Sequence, residues 1–140
     1  MNSGFSNPSM DEIRTLLQRI KTIAVVGLSP SPHRPSYGVA KALQKFGYRI
    51  IPVNPAVSEV LGEKAYPSLR DVPEAVDLVD VFRESHHVAA IVDDCIALNL
   101  PALWLQDGVI DAPAAARAQA AGMTVVMDRC LYRDYIQLMP

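Results

Sequence analysis

The residues best suited to chemistry in this sequence are a glycine, an arginine and a serine that lie close together, Gly27, Arg34 and Ser36. Gly27 directly follows the apolar run 22–26, where a glycine lets the chain turn and lets a phosphate approach the backbone. Ser36 opens a helical pattern, and the free N–H groups and dipole of a helix start favour an anion. Arg34 can hold phosphate through two parallel hydrogen bonds. Each residue alone would equally suit a turn, a cap or a solvated charge, but the cluster predicts a phosphate-binding loop.

Short apolar runs predict the strands that would carry this loop. Each run is brief and continuous, as in the buried strands of a parallel sheet. The runs cover residues 22–26, 48–53, 77–82, 102–105 and 123–127. Helical patterns between them predict right-handed crossovers, and therefore a doubly wound α/β sheet of about five parallel strands. Numbering the strands along the chain, we expect the order 3-2-1-4-5, with the first strand central.

Polar residues at fixed positions predict where the helices begin. Ser9 and Glu12 have the spacing of a capping box ahead of a helical apolar stripe, which predicts an N-terminal helix before the first strand. Ser36, Ser85 and Asp111 each precede a later helical pattern, and we predict that they are its N-caps.

The predicted topology selects one edge of the sheet as the ligand site. In doubly wound sheets, ligands bind outside the carboxyl ends of the strands, where the strand order reverses. The segments that follow the predicted strands are 27–36, 54–55, 82–83, 106–108 and 128–130. The phosphate-binding loop is the first of these segments, so the topology and the residue types indicate the same place.

Length, charge and cysteine content limit the class of protein. The 140 residues fit a single domain, 1–140, with a polar first stretch, 1–10, that we predict to be flexible. The net charge of -2 and the scattered arginines argue against nucleic-acid binding, and no apolar run is long enough for a membrane helix. Two cysteines and no secretory pattern predict a cytoplasmic protein with reduced thiols and no metal site.

A nicotinamide dinucleotide is the first alternative ligand, and the loop argues against it. The usual fingerprint has three glycines after the first strand and an acidic residue about 20 residues on, for the ribose hydroxyls. Here Gly27 is followed by Leu28 and a proline-containing loop, and the second strand ends in Val53 and Asn54. Neither the additional glycines nor the carboxylate is present.

Several segments together resemble a known family, the small stand-alone CoA-binding proteins, which are similar to the N-terminal CoA-binding domain of the succinyl-CoA synthetase α subunit. The match extends over about residues 21–130, and its most specific parts are Pro-Val-Asn-Pro and Val-Phe-Arg. The family often has alanine where this chain has Leu28. The segments that carry the resemblance are 23–29, 34–36, 47–55, 62, 77–83, 104–109 and 121–130.

The resemblance implies a Rossmann-like fold with coenzyme A across the strand ends. Carried over by position, the glycine loop would hold the pyrophosphate, the end of the second strand would line the adenosine, and the end of the third would lie along the pantetheine or a neighbouring phosphate. The residues of the implied site are Gly27, Ser29, Pro30, Arg34, Ser36 and Tyr37 in the loop and helix start, Val53, Asn54 and Pro55, Phe82 and Arg83, and Gln106.

The expected function is the binding of coenzyme A or an acyl-CoA without catalysis, as a carrier, sensor or regulator. The synthetase also needs a domain with a phosphorylated histidine and a second subunit, for which a chain of 140 residues has no room. Three alternatives remain: an enzyme acting on acyl-CoA through Cys130 or His33, an NAD(P)-binding redox sensor, and a domain that acts through protein contacts alone. The sequence identifies no protein partner.

The remaining reactive residue types predict no further site. The histidines at 86–87 are adjacent on a helix and point in different directions, so we expect them to be solvated. Cys95 and Trp104 fall on buried stripes and are predicted core residues, and Cys130 is predicted to pack as a small apolar group. Asp77 and Asp80 lie on one strand but face opposite sides of the sheet, so they form no acid–base pair.

Overall fold

A five-stranded parallel sheet forms the centre of the computed structural model, which describes residues 4–139. The strands are β1 (Thr22–Val26), β2 (Arg49–Val53), the short antiparallel pair β3 (Glu59–Val60) and β4 (Glu63–Lys64), then β5 (Leu78–Val81), β6 (Ala102–Leu105) and β7 (Thr124–Met127). The helices are α1 (Met10–Arg19), α2 (Pro35–Lys45), α3 (Val88–Ala97), α4 (Ala112–Ala120) and α5 (Leu131–Leu138). The predicted Rossmann-like α/β class is therefore confirmed, including its N-terminal helix.

The strand order is β2-β1-β5-β6-β7, and the chain reverses direction across the sheet between β1 and β5. The third long strand, β5, thus lies between β1 and β6, whereas the expected order 3-2-1-4-5 would place it outside β2. Pro52 explains the difference, because proline has no N–H to donate and is confined to edge strands or bulges. All four residues of β5 are buried, which suits a position inside the sheet.

Two layers of helices cover the sheet. Helices α1, α2 and α5 pack on one face with a core that includes Trp104, and α3 and α4 pack on the other with a core that includes Cys95. Both side chains are fully buried, as predicted, and the Trp104 indole N–H donates to the carbonyl of Arg129 at 2.8 Å. Within residues 4–139, none of the helices combines the length and apolar character needed to cross a bilayer.

The capping box of α1 is confirmed by both of its hydrogen bonds. The Ser9 hydroxyl accepts from the Glu12 N–H at 3.2 Å, and the Glu12 carboxylate accepts from the Ser9 N–H at 3.1 Å. Just before it, the Asn7 side chain exchanges two hydrogen bonds with the backbone of Met127, at 2.8 and 3.0 Å. Flexibility of residues 1–10 stays a prediction, and residues 1–3 lie outside the described part of the chain.

Two of the other three predicted caps have different roles. Asp111 caps α4 by accepting from the Ala114 N–H at 3.0 Å. Helix α2 begins instead at Pro35, whose fixed φ suits the first helical position, and this places Ser36 inside the first turn. Ser85 precedes α3 in a short 3₁₀ turn, and its hydroxyl accepts from the Ile110 N–H at 2.9 Å. Both serines therefore bind a neighbouring loop rather than the start of their own helix.

Candidate functional site

A cleft of about 540 Å³ opens at the carboxyl ends of β1, β5 and β6, where the strand order reverses. It brings together most of the predicted loop with the residues that follow the next two strands of the sheet. The residues that line it are Gly27, Ser29, Arg34, Pro35, Ser36, Phe82, Arg83, Glu84, Gln106, Asp107, Gly108 and Val109. This volume is in the range of small-molecule sites, which span about 300–1,000 Å³.

Gly27, which follows β1, lies against the residues that follow β5. Its φ is +86°, in the region that favours glycine, and its N–H donates to the Val53 carbonyl at 2.9 Å. A Cβ added here would lie 2.6 Å from the Phe82 carbonyl oxygen and 2.8 Å from Cδ of Arg83. The absence of a side chain is therefore what allows the loop after β1 to lie against the end of β5.

Side-chain hydrogen bonds hold the loop after Gly27 in place. The Ser36 hydroxyl accepts from the Ser29 N–H at 3.0 Å, and the Ser29 hydroxyl accepts from the Ser31 N–H at 3.0 Å. From β2, the Asn54 amide donates to the Leu28 carbonyl at 3.0 Å. The loop is thus attached both to the start of α2 and to the end of β2, which gives it a defined shape before any ligand arrives.

The charge of the cleft depends on two arginines that no carboxylate neutralises. Within residues 4–139, neither Arg34 nor Arg83 forms an ion pair, although most arginines of the chain do. Arg117 pairs with Asp93, for example, at 2.6 Å. Two unneutralised guanidinium groups beside a helix start and a glycine turn make this part of the cleft suited to a phosphate.

The opposite wall of the cleft is neutral or acidic. Asp107 pairs with Arg133 through two hydrogen bonds of 2.9 and 3.0 Å, and this pairing lowers the pKa of the Asp107 carboxyl. Gln106 is buried, and its Oε1 accepts from the Leu131 N–H at 3.3 Å, so the amide NH₂ is the group left for a ligand. The cleft therefore has a cationic end at the loop and a neutral donor with an acidic neighbour at β6.

A smaller cavity of about 170 Å³ lies beside the first. Its walls are mostly apolar, and Arg83 lines it as well as the larger cleft. The remaining lining residues are Val26, Val53, Pro55, Pro67, Ser68, Leu69, Ile91 and Asp94. A flat apolar group attached to a phosphate could occupy this cavity while the phosphate lies near Arg83.

Three of the residues implied by the resemblance do not line either cavity. Pro30 is exposed on the loop, Tyr37 packs partly buried against the core, and Asn54 uses its side chain to fasten the loop. The other implied residues line one of the two cavities, so the structure assembles them at one edge. Whether any of them contacts a ligand stays a prediction.

Sequence reasoning missed the residues contributed by irregular segments. Asp107 and Gly108 belong to the segment 106–108, which was predicted to lie at this edge, although neither was predicted to be a site residue. Glu84 and Val109 directly follow the predicted segments 82–83 and 106–108, so a slightly wider window after each strand would have included them. The segment 67–69 reaches the small cavity because Tyr66 forms a parallel bridge with Val53 at the edge of β2. A single isolated bridge leaves no periodic signal in the sequence.

The histidines and Cys130 are placed differently from one another. His86 is exposed, as predicted, and its ring lies 3.6 Å from Glu84. His87 is partly buried and contacts the Arg83 guanidinium at 2.9 Å, so it is not simply solvated. Cys130 is the N-cap residue of α5, is partly buried, and lines neither of the two cavities.

Comparison with known proteins places the whole cleft within one family match. Residues 21–135 match the model of a family described as a CoA binding domain. An uncharacterized protein, YneT, from Bacillus subtilis is 44% identical over 125 residues, which cover 89% of this chain and 93% of that protein. A hypothetical protein from Pyrococcus horikoshii has a structure that matches with a TM-score of 0.91 and 36% identity, covering 95% of this chain and 94% of that one.

A larger enzyme contains a similar segment. The acetate–CoA ligase (ADP-forming) of Methanocaldococcus jannaschii is 31% identical over 75 residues, which make up 54% of this chain. The aligned segment is only 11% of the ligase, so the similarity concerns one small part of that enzyme. Residues 21–135, which match the family model, include every residue that lines the larger cleft.

Proposed function

This chain belongs to the CoA-binding domain family, and on that premise we propose that it binds coenzyme A or an acyl-CoA at the carboxyl ends of its parallel strands. The observation that carries the proposal is the pair of unneutralised arginines, Arg34 and Arg83, beside the glycine turn at Gly27. Most other arginines of the chain are paired with carboxylates, so these two are available to a pyrophosphate.

The two cavities suit different parts of this ligand. The pyrophosphate would lie at the loop, on Ser29, Ser36 and Arg34, because donors and positive charge converge there. The adenosine would enter the small apolar cavity beside Val53 and Pro55, with Arg83 between the two parts. The amide NH₂ of Gln106 would donate to a carbonyl of the pantetheine arm. When bound, coenzyme A supplies a thiol that can carry an acyl group.

A binding role without catalysis is supported by the residues around the cleft. Two acidic side chains line it, and one of them, Asp107, is already paired with Arg133. The thiol of Cys130 does not line it. Within the described residues, no serine of the loop has a histidine partner, since Ser29 and Ser36 bond to backbone N–H groups. We therefore favour a carrier, sensor or regulator over an enzyme that acts on acyl-CoA.

An NAD(P)-binding redox sensor is the alternative with the most specific counter-evidence. The residue directly after β2 would need a free carboxylate for the ribose hydroxyls. Asn54 stands there, and its side chain already donates to the Leu28 carbonyl and accepts from the Ala56 N–H. The cytoplasmic location stays a prediction from the cysteine content and the polar N-terminus.

Calorimetric titration of the purified protein, freed of co-purified nucleotide, tests the ligand directly. Coenzyme A, acetyl-CoA, NAD and ATP would be compared under identical conditions. We expect coenzyme A and acetyl-CoA to bind and NAD not to bind. Binding of NAD alone would overturn the proposal, and binding of none of the four would favour a domain that acts through protein contacts.

Replacing either cleft arginine by alanine is expected to weaken the binding of coenzyme A. The loss of a charge-assisted contact with phosphate costs about 1.5–3 kcal/mol, which corresponds to roughly 10- to 150-fold in Kd. Arg34→Ala and Arg83→Ala would be titrated beside Arg117→Ala, whose guanidinium pairs with Asp93 away from the cleft. An unchanged Kd in Arg34→Ala or Arg83→Ala would remove that arginine from the site.

A further inference from the structure

The contact between Arg83 and His87 constrains the protonation of the histidine. The Arg83 guanidinium nitrogen lies 2.9 Å from Nε2 of His87, and both side chains are partly buried. A guanidinium has only donors and stays charged, so Nε2 must accept. His87 is therefore neutral in this arrangement, with its proton on Nδ1.

Arg83 lies where a contact that fixes its side chain would favour the binding of a ligand. Its side chain lines both cavities, and its Cδ lies beside Gly27, next to the carboxyl ends of β1 and β5. Among the described residues, it has no carboxylate partner, and His87 is the side chain that contacts its guanidinium. A long side chain loses rotamer freedom when it binds, and a group that fixes it beforehand reduces that loss.

We propose that His87 is a positioning residue that holds the Arg83 guanidinium at the junction of the two cavities, ready to contact a phosphate of the ligand. The inference rests on the proposed function, because it assigns a partner to one of the two arginines of that site. His87 itself would not touch the ligand. It would act through the acceptor that it offers to one guanidinium nitrogen, leaving the other donors of Arg83 for the phosphate.

The surroundings of His87 favour the neutral form that this role needs. Partial burial lowers the pKa of His87, and the neighbouring Arg83 and His86 lower it further, while Glu84 acts in the opposite direction. The acceptor on Nε2 is thus present at neutral pH. At acidic pH, protonation would remove the acceptor and leave two cations side by side.

Titration calorimetry with coenzyme A as the probe separates this role from a purely structural one. The proteins would be wild type, Arg83→Ala, His87→Ala, His87→Gln and the double variant Arg83→Ala with His87→Ala. At pH 8 we expect His87→Ala to weaken binding about 2- to 10-fold, which is the cost of ordering one long side chain, that of Arg83, when the ligand binds. His87→Gln restores an acceptor, and we expect it to bind close to wild type.

Two further measurements of affinity test whether His87 acts through Arg83. In the Arg83→Ala background, His87→Ala should cause no additional loss, because the group that His87 positions is already absent. As the pH is lowered from 8 to 4.5, wild type should lose affinity relative to His87→Gln, which has no imidazole to protonate. Because the pKa of His87 is lowered from 6.5, the loss should begin below the ordinary range of a histidine. Titration of the ligand's own phosphate is common to both proteins and cancels in this comparison.

The possible results distinguish the two proposals. Failure of wild type to bind coenzyme A would overturn the proposed function, and this inference with it. Normal binding by His87→Ala, or an equal loss in the presence and absence of Arg83, would overturn only the positioning role. Thermal unfolding of each variant establishes that the protein titrated is folded.

Discussion

Replacing Gly27 by alanine is expected to destabilise the protein by about 2–5 kcal/mol and to reduce the affinity for coenzyme A by about 100-fold or more. The φ of +86° costs an L-residue about 1–2 kcal/mol, and overpacking costs about 1–3 kcal/mol more. The added Cβ would lie 2.6 Å from the Phe82 carbonyl and 2.8 Å from Cδ of Arg83. Either the loop or the end of β5 has to move, and both carry the proposed site.

Gly122→Ala is the matched control for this substitution. Gly122 has a φ of +98°, but a Cβ there meets nothing within 4 Å, so only the conformational cost of about 1–2 kcal/mol remains. Urea unfolding gives the stability of both variants, and calorimetry on the folded protein gives the affinity. We expect Gly122→Ala to bind normally. If Gly27→Ala matched it in both measurements, the close approach of the two strand ends would be disproved.

The edge of the sheet that carries the larger cleft could be predicted because its signals are local. The apolar run that forms β1 and the glycine after it lie together in the sequence, and the topology rule then selects the carboxyl edge. Strand order is less local, since it depends on which strands pair across crossovers. Pro52 in β2 was the usable signal for that order, because it disfavours an interior position for the strand.

The hydrogen-bond partners of individual polar side chains were harder to predict than the edge of the sheet at which they lie. Ser36 has the residue type of a cap, but Pro35 starts the helix one residue earlier and frees its hydroxyl for the Ser29 N–H. Asn54 has the position of a ligand-binding residue, but its amide fastens Leu28. Serine and asparagine bond readily to any nearby backbone group, so their partners depend on the folded loop rather than on the spacing.

Asp80 shows what the alternation of side chains along a strand can and cannot predict. The prediction that Asp77 and Asp80 face opposite sides of the sheet rests on the alternation of side chains along a strand. Asp77 accepts from the N–H groups of Lys21 and Thr22 at 2.9 and 3.0 Å. Asp80 is fully buried beside Val25 and Trp104, and among the described residues neither of its carboxyl oxygens has a hydrogen-bond partner. The alternation of side chains along a strand predicts the face on which a carboxyl lies, but it does not predict whether that face is buried.

Asp80→Asn is expected to make the protein more stable at neutral pH. Burial raises the pKa of the Asp80 carboxyl well above its ordinary value of 3.8, so the native state keeps a proton that the unfolded state releases. Where the native state binds more protons, stability falls as pH rises, by up to about 1.4 kcal/mol per pH unit for one group. The decline begins near the unfolded pKa and ends once the native pKa is passed. Asparagine has nearly the same shape and no proton to release.

Urea unfolding of wild type and Asp80→Asn at intervals from pH 4 to pH 9 isolates this effect, because the other carboxyl groups are common to both proteins. The stability difference should be smallest at pH 4 and should grow in favour of the variant as pH rises. Asp77→Asn is the control of opposite sign, since it weakens an acceptor of two backbone N–H groups and should cost about 1 kcal/mol. A constant difference between wild type and Asp80→Asn would mean that the carboxyl ionises as readily in the native state as in the unfolded one. The interior between β1 and β6 would then have to admit water or a cation to that carboxylate.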